Sequence, residues 1–262
     1  MADKHVPTYQ VNYPDGVKFL TTGGSGLIYI FPSNAAEVLK VPSTNPRTRH
    51  NHAIERRSYE RLGTHPNIIK CLRTDDYGIY LERAEHGCIR QYFLDGGTAT
   101  LRERIQWSLD IANALQYVHE HNIRHADLSG RNVLLDSSRN VRLCDFAGSA
   151  IDNDKATVWA ESGFRHPDDD EVKHSTIRAE LHALGSTIYE LCTFSQPHGR
   201  EVEEWIVGQW IREGKYPSVK EVILGDIVMK CWNGGFASAR EAAQSIKQES
   251  RNILLLGNEC YS

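Results

Sequence analysis

Apolar and polar positions alternate over residues 17 to 42, a stretch rich in Ile, Val, Leu and Tyr that holds the glycine cluster Gly23-Gly24-Ser25-Gly26. A period of two reads as strands around a tight turn. The period then changes. Ile54, Tyr59 and Leu62 recur at roughly helical spacing, so a helix is expected over residues 50 to 62, stopped by Gly63. Residues 68 to 82 read as two short strands broken at Thr74-Asp75-Asp76. Beyond residue 100 the pattern is helical. Thr100 to Glu103 has the T-x-x-E form of a capping box, and Ile105, Leu109, Ala112, Leu115 and Val118 follow on one face. Residues 179 to 193 are apolar on most sides, the mark of a buried helix, and residues 238 to 250 read as a final amphipathic helix. A strand-rich first third and a helical remainder predict an α+β chain in two lobes joined near residue 84.

Composition narrows the class. The chain has 262 residues, enough for one large or one two-lobed domain. A net charge of −4 gives no support to nucleic-acid or membrane-surface binding. The first residues lack the apolar core of a signal peptide, and no apolar run approaches membrane-spanning length. Cys71, Cys88, Cys144, Cys192, Cys231 and Cys260 form no CxxC pair, which reads as reduced thiols and a cytoplasmic setting.

The densest chemistry lies in HADLSGRNVLLD, His125 to Asp136, and in CDFAG, Cys144 to Gly148. The first has the form H-x-D-x-x-x-x-N and the second D-F-x-G. Such spacing lets one loop hold a carboxylate beside a hydroxyl and an amide oxygen on a metal. A second loop brings another carboxylate to the same metal. Either stretch alone also fits ordinary Asx turns. Together they resemble the catalytic and metal-binding loops of the eukaryotic-type protein kinase domain, in the form of a small stand-alone kinase of the fungal type.

That resemblance implies a bilobal fold with a β-rich N-lobe at about 17 to 83 and a helical C-lobe at about 84 to 250, flanked by an extension at 1 to 16 and a tail at 251 to 262. It implies Asp127 as the base, and Asn132 and Asp145 as Mg²⁺ ligands, with His125 and Phe146 packing the loops. AEVLK supplies Lys40 for the α and β phosphates of ATP. Glu55, ahead of His65-Pro66-Asn67-Ile68, would pair with Lys40; Glu60 on the same helix is the alternative. Tyr59, Cys71, His125 and Phe146 would stack between the lobes. Gly23, Gly24, Ser25 and Gly26 resemble the phosphate loop, with Ile28 over the adenine. IYLERAEHGC resembles the hinge, with Leu81 as gatekeeper, Glu82 and Ala84 offering backbone bonds to adenine, and Leu134 closing the pocket from below. ESGFRHPDDD, ELHALGSTIYEL and KCW before SAREAAQSI complete the resemblance over about residues 17 to 250.

Several positions depart from it. Ala126 replaces the Arg that meets an activation-segment phosphate. Ala147 replaces a glycine of the metal loop. Asp168 replaces the Glu of Ala-Pro-Glu and aligns against Phe236, so the ion pair at that place is expected to be missing. Ser129 stands where Ser/Thr kinases carry Lys, and Arg131 where tyrosine kinases carry Arg. The implied function is transfer of the γ-phosphoryl group of Mg-ATP to a protein hydroxyl, Ser/Thr ahead of Tyr. The alternatives are a pseudokinase scaffold and a small-molecule kinase of the aminoglycoside-phosphotransferase kind. The implied partners are ATP and a protein substrate, without nucleic acid or membrane.

Overall fold

In the computed structural model, residues 11–168 and 175–259 are described; expectations for residues 1–10, for Asp169 and Asp170 and for Cys260 fall outside them. Among the described residues, β1 (Lys18–Gly23), β2 (Gly26–Phe31), β3 (Asn34–Val41), β4 (Cys71–Thr74) and β5 (Ile79–Glu82) form an antiparallel sheet of order β1-β2-β3-β5-β4. Strand β3 lies at its centre, with Lys40 between Ile28 of β2 and Ile79 of β5. Alternation along β3 sorts its side chains. Leu39 and Val41 pack with Tyr29 and Tyr80 on one face. Val38 joins the main core, and Lys40 is buried on that same side of the strand. Gly26 is needed for this packing: a Cβ there would stand 2.6 Å from the Val41 carbonyl oxygen.

Helix α1 (Pro46–Leu62) starts earlier than the apolar spacing indicates. Asn45 caps it, accepting from the Arg47 N–H at 2.8 Å, and Pro46 supplies a preset φ at the first position. The start is therefore written in an Asn-Pro dipeptide rather than in the apolar period. Gly63 ends the helix at φ 61°.

The helical part comprises α2 (Ile89–Leu94), α3 (Leu101–Glu120), α4 (Ile177–Thr193), α5 (Glu204–Arg212), α6 (Gly225–Trp232) and α7 (Ala239–Glu259). The capping box forms as the sequence suggests, with Thr100 Oγ1 accepting from Glu103 N–H at 3.2 Å and Glu103 Oε2 from Thr100 N–H at 2.8 Å. Helix α4 is buried among α3 and α6. Helix α7 runs past residue 250 without a break.

Two short ribbons matter most for function. β6 (Ile123–Arg124) pairs with β9 (Ala150–Ile151), and β7 (Val133–Leu135) with β8 (Val141–Leu143). β6 and β7 enclose the 125–132 loop; β8 and β9 enclose the 144–149 loop. Each loop is thus pinned at both ends, and the two are held side by side. β8 also ties the lobes: Leu143 donates to Asn67 O at 2.8 Å, and its carbonyl accepts from Ile69 N–H at 2.9 Å.

Candidate active site

Lys40 Nζ lies 2.6 Å from Glu55 Oε2 and 2.8 Å from Asp145 Oδ1. Central β3 places the lysine and the buried face of α1 places Glu55, while Glu60 is exposed. The pair is almost dry, so its geometry matters more than its count. Burial works against the Lys40 charge, but Asp145 and Glu55 together hold its pKa above the ordinary range. Burial pushes Glu55 up, against the pull of Lys40. Burial also opposes the Asp145 charge, yet Lys40 and a Ser25 hydrogen bond outweigh it and keep that carboxyl low. Ser25 Oγ donates to both Asp145 oxygens, at 2.9 and 3.0 Å. The glycine-rich turn therefore closes onto the Asp145 carboxylate of the D-F-x-G loop, a contact that sequence spacing does not suggest.

In the neighbouring loop, Asn132 Nδ2 donates to Asp127 O at 2.6 Å and to Asp127 Oδ2 at 3.1 Å. Those bonds use the amide nitrogen and fix the orientation of the side chain, so that its oxygen is left to accept from elsewhere. Asp127 Oδ1 is buried without a hydrogen-bond partner. Burial raises the Asp127 pKa, against the pull of His125, Arg131 and Asn132. Asp145 and Asn132 thus offer hard oxygen donors, the set Mg²⁺ takes when phosphate and water complete its shell. These residues fit that ion.

Both loops carry backbone strain. Ala126 has φ 70° and Asp145 has φ 62°, in the region that L-residues avoid. Buried Glu180 of α4 holds the first, accepting from the His125 and Ala126 N–H groups at 2.8 Å each. His125 joins the two loops. Its Nδ1 accepts from Asp127 N–H at 3.2 Å, so Nε2 carries the proton donated to Cys144 O at 2.9 Å. Phe146 sits between Tyr59 and His125, with ring centroids 5.3 and 5.1 Å away, and half-buried Cys71 packs against the same core.

Next to this polar end lies an apolar wall. Val38, Leu81 and Cys144 are buried, and Ile28, Ala84 and Leu134 pack against them half-buried. Glu82 donates its N–H to Lys70 O at 2.9 Å, and Ala84 O accepts from Gly87 N–H at 3.1 Å. Cys88 bridges to Leu134 across the floor. Burial raises the Cys144 thiol well above its usual range. Gly23 ends β1, paired with Gly26 of β2; Gly24 and Ser25 make the turn between them, and a Cβ at Gly24 would meet nothing within 4 Å.

The segment from Asp145 to Asp168 is held by pairs that local sequence does not announce. Arg61 of α1 is bidentate to Asp152, at 2.6 and 2.9 Å. Arg47 Nη2 donates to Thr157 O at 2.7 Å, and Thr157 Oγ1 donates to Asn51 Oδ1 at 2.7 Å. Arg90 of α2 is bidentate to both Glu161 and Glu190. Asp168, expected to face Phe236 without an ion pair, instead lies 3.8 Å from Arg178 Nη1. The Arg comes from the start of α4, a partner that the alignment against the C-terminal residues could not supply.

The family model of the protein kinase domain matches residues 32–247, and the chain belongs to that family. Mitogen-activated protein kinase kinase kinase 13 of Mus musculus is 26% identical over 189 residues, which cover 70% of this chain and 19% of that protein. Serine/threonine-protein kinase STY17 of Arabidopsis thaliana is 23% identical over 207 residues, 74% of this chain and 36% of that protein. Tyrosine protein-kinase src-1 of Caenorhabditis elegans is 26% identical over 189 residues, 64% of this chain and 35% of that protein. The chain therefore spans between a fifth and about a third of the length of these relatives. No helix among the described residues is long and apolar enough to cross a membrane.

Proposed function

We propose that this chain transfers the γ-phosphoryl group of Mg-ATP to a protein hydroxyl, Ser/Thr ahead of Tyr. The observation that carries the reading is the single cation Lys40 held between Glu55 and Asp145, at 2.6 and 2.8 Å. Glu55 keeps the ammonium at the cleft, where it would neutralise the α and β phosphates. Gly23, Gly24, Ser25 and Gly26 would cover those phosphates. Ile28, Leu81 and Leu134 would sandwich the adenine, with the Glu82 carbonyl and the Ala84 N–H as its polar contacts. Asp145 and the Asn132 amide oxygen would hold Mg²⁺, which when bound neutralises charge on the phosphates. Asp127 Oδ1, buried and without a hydrogen-bond partner, would accept the substrate hydroxyl proton. A carboxyl with a raised pKa suits that task.

The relatives named above include one serine/threonine kinase and one tyrosine kinase, so they leave the hydroxyl class to experiment. The scaffold alternative draws on one observation: Ser25 and Lys40 already occupy the Asp145 carboxylate. The free thiols among the described cysteines fit a cytoplasmic setting. The deciding experiment is ATP turnover on a peptide library, wild type against Asp127→Asn. Turnover lost in the variant supports the kinase reading. A thermal shift with Mg-ATP but no turnover in wild type would transfer the chain to the scaffold class.

A further inference from the structure

Charges alternate along a continuous chain of residues from the centre of the C-lobe to the base. Glu190, on buried α4, is 2% exposed and takes Arg90 Nε and Nη2 at 2.6 and 2.9 Å. Arg90 in turn takes Glu161 through Nη1 and Nη2, at 2.8 and 2.6 Å. Glu161 lies 3.8 Å from Arg131 Nη2, and the same nitrogen lies 3.8 Å from Asp127 Oδ1. Glu190 also accepts the Gly130 N–H at 3.0 Å, so one carboxylate anchors both the loop and the ion-pair chain. Residue 130 must be glycine for this, since a Cβ would stand 2.5 Å from the Glu190 carboxylate.

The rigid end and the soft end of this chain differ in kind. Arg90 and Glu161 are each 12% exposed and locked by paired hydrogen bonds. Arg131 is 51% exposed and, among the described residues, makes the two longer approaches. A long half-exposed side chain loses considerable rotamer freedom when held in one place, and one exposed ion pair is weak. Two carboxylates on either side of it, one of them immobile, localise it. Arg131 is also the cation that the catalytic loop itself brings to Asp127, because Ser129 is buried and neutral.

We propose that Glu161 is a positioning residue: it acts through Arg131 to fix a positive charge beside Asp127 Oδ1, and Arg90 and Glu190 hold it there. This rests on Asp127 being the base of the proposed kinase reaction. The Glu161 carboxylate forms no bond to substrate; its effect reaches the reaction only through the guanidinium.

The test is a double-mutant cycle on the full chain, with a peptide that the wild type phosphorylates. Measured are kcat, KM for ATP and Tm for wild type, Glu161→Gln, Arg131→Gln and the double variant, with Glu161→Asp as the charge-keeping control. Removing the Glu161 charge leaves Arg90 paired with Glu190, so no buried charge is stranded and the variant is expected to fold. Each single variant should lower kcat about tenfold at unchanged KM for ATP, because displacement of a group at the reacting centre acts on the chemical step. The double variant should be no worse than either single one, since Glu161 has no effect once Arg131 is gone. Glu161→Asp should recover most of the loss. Additive losses, a kcat of Glu161→Gln within twofold of wild type, or a loss that tracks Tm and is not recovered by Asp would each overturn the inference alone. Asp127→Asn is run beside them: an inactive wild type, or an active Asp127→Asn, overturns the kinase reading and this inference with it.

Discussion

The two ends of the cleft differ in how far they follow the family. At the phosphate end, Lys40, Glu55, Asp145 and Asn132 keep the residue types of the family, and the structure gathers Lys40, Glu55 and Asp145 within ion-pair distance. At the activation-segment end, Ala126, Ala147, Ser129 and Asp168 all depart, and new pairs appear: Arg61 with Asp152, Arg90 with Glu161, Arg178 with Asp168. A phosphoryl-transfer site needs particular atoms at particular points, because its charges must meet a transferring group. A segment that only has to be held in place can be held by any complementary pair. The contrast separates residues that would perform chemistry from residues that position it.

The largest effect should come from the end that keeps the family's residue types. Asp145→Ala removes the metal-loop carboxylate but leaves the buried Lys40–Glu55 pair at 2.6 Å intact, so the protein should stay folded. Loss of one preorganised charge at a transferring phosphoryl group costs about 3 kcal/mol or more, roughly a hundredfold in rate. Circular dichroism and steady-state turnover measured together should show folded, inactive protein. Near-normal turnover would remove Asp145 from its role.

The second effect belongs to the rewritten end and is read in stability. Buried His182 of α4 supports the activation segment, its Nδ1–H donating to Phe164 O at 2.9 Å and its Nε2 accepting from the Tyr216 hydroxyl at 3.0 Å. Burial, aided by His166 and Arg178 and opposed by the Phe164 carbonyl, lowers its pKa to about 4. In an unfolded chain it titrates near 6.5. Between those values the unfolded state binds a proton that the native state refuses. The His182 contribution is therefore complete above pH 6.5, declines as pH falls toward 4 and levels off below, by about 3 kcal/mol in all. Denaturant midpoints from pH 7 to 4.5 should fall more steeply for wild type than for His182→Gln. Parallel curves would mean that the site admits the proton without cost.

What could be read in advance follows the same division. Period two placed the strands around residues 17 to 42, helical spacing placed the buried faces of α1 and α3, all-round apolarity marked α4 as buried, and the family resemblance put Lys40, Asp127, Asn132 and Asp145 in order. Those signals are local, carried by neighbours in sequence. Ser25 on Asp145 joins positions 120 residues apart, and Arg90 on Glu190 joins positions 100 apart. Nothing near Glu161 or Arg90 distinguishes a structural carboxylate or guanidinium from a solvated one. The start of α1 differs from the apolar spacing for a smaller reason, because Asn45-Pro46 carries that boundary and the spacing does not.

A smaller effect should come from Arg61→Ala. Its partner Asp152 lies in the first half of the Asp145–Asp168 segment, and the pair is partly exposed, 36% and 52%. Asp152 also bonds the Arg124 side chain through its carbonyl, at 2.9 Å, so part of the attachment survives. Turnover should fall about threefold, and raising the salt from 50 to 500 mM should shrink the difference, as expected of a screened surface pair. A loss that salt does not touch would point to packing of the α1 end instead.

The smallest effect expected is none. Phosphatase treatment of purified enzyme should leave turnover within about twofold, because Ala126 cannot form the Arg–phosphate pair that orders such segments. The hydroxyls of the segment are also already engaged. Ser149 is buried and donates to His125 O at 3.0 Å. Thr157 spends its hydroxyl on Asn51, and its carbonyl takes Arg47. A phosphate on Thr157 would gain Arg47 nearby but break the Asn51 bond, exchanging one attachment to α1 for another. Ser162 remains half-buried beside Glu161, where added negative charge would meet a carboxylate. The segment is instead held by the carboxylates of Asp152 and Glu161, which carry their charge without modification. A tenfold drop after phosphatase, traced by mass spectrometry to Thr157, would show that the rewritten end is switched after all, with Arg47 as the phosphate receptor in place of the missing arginine at 126.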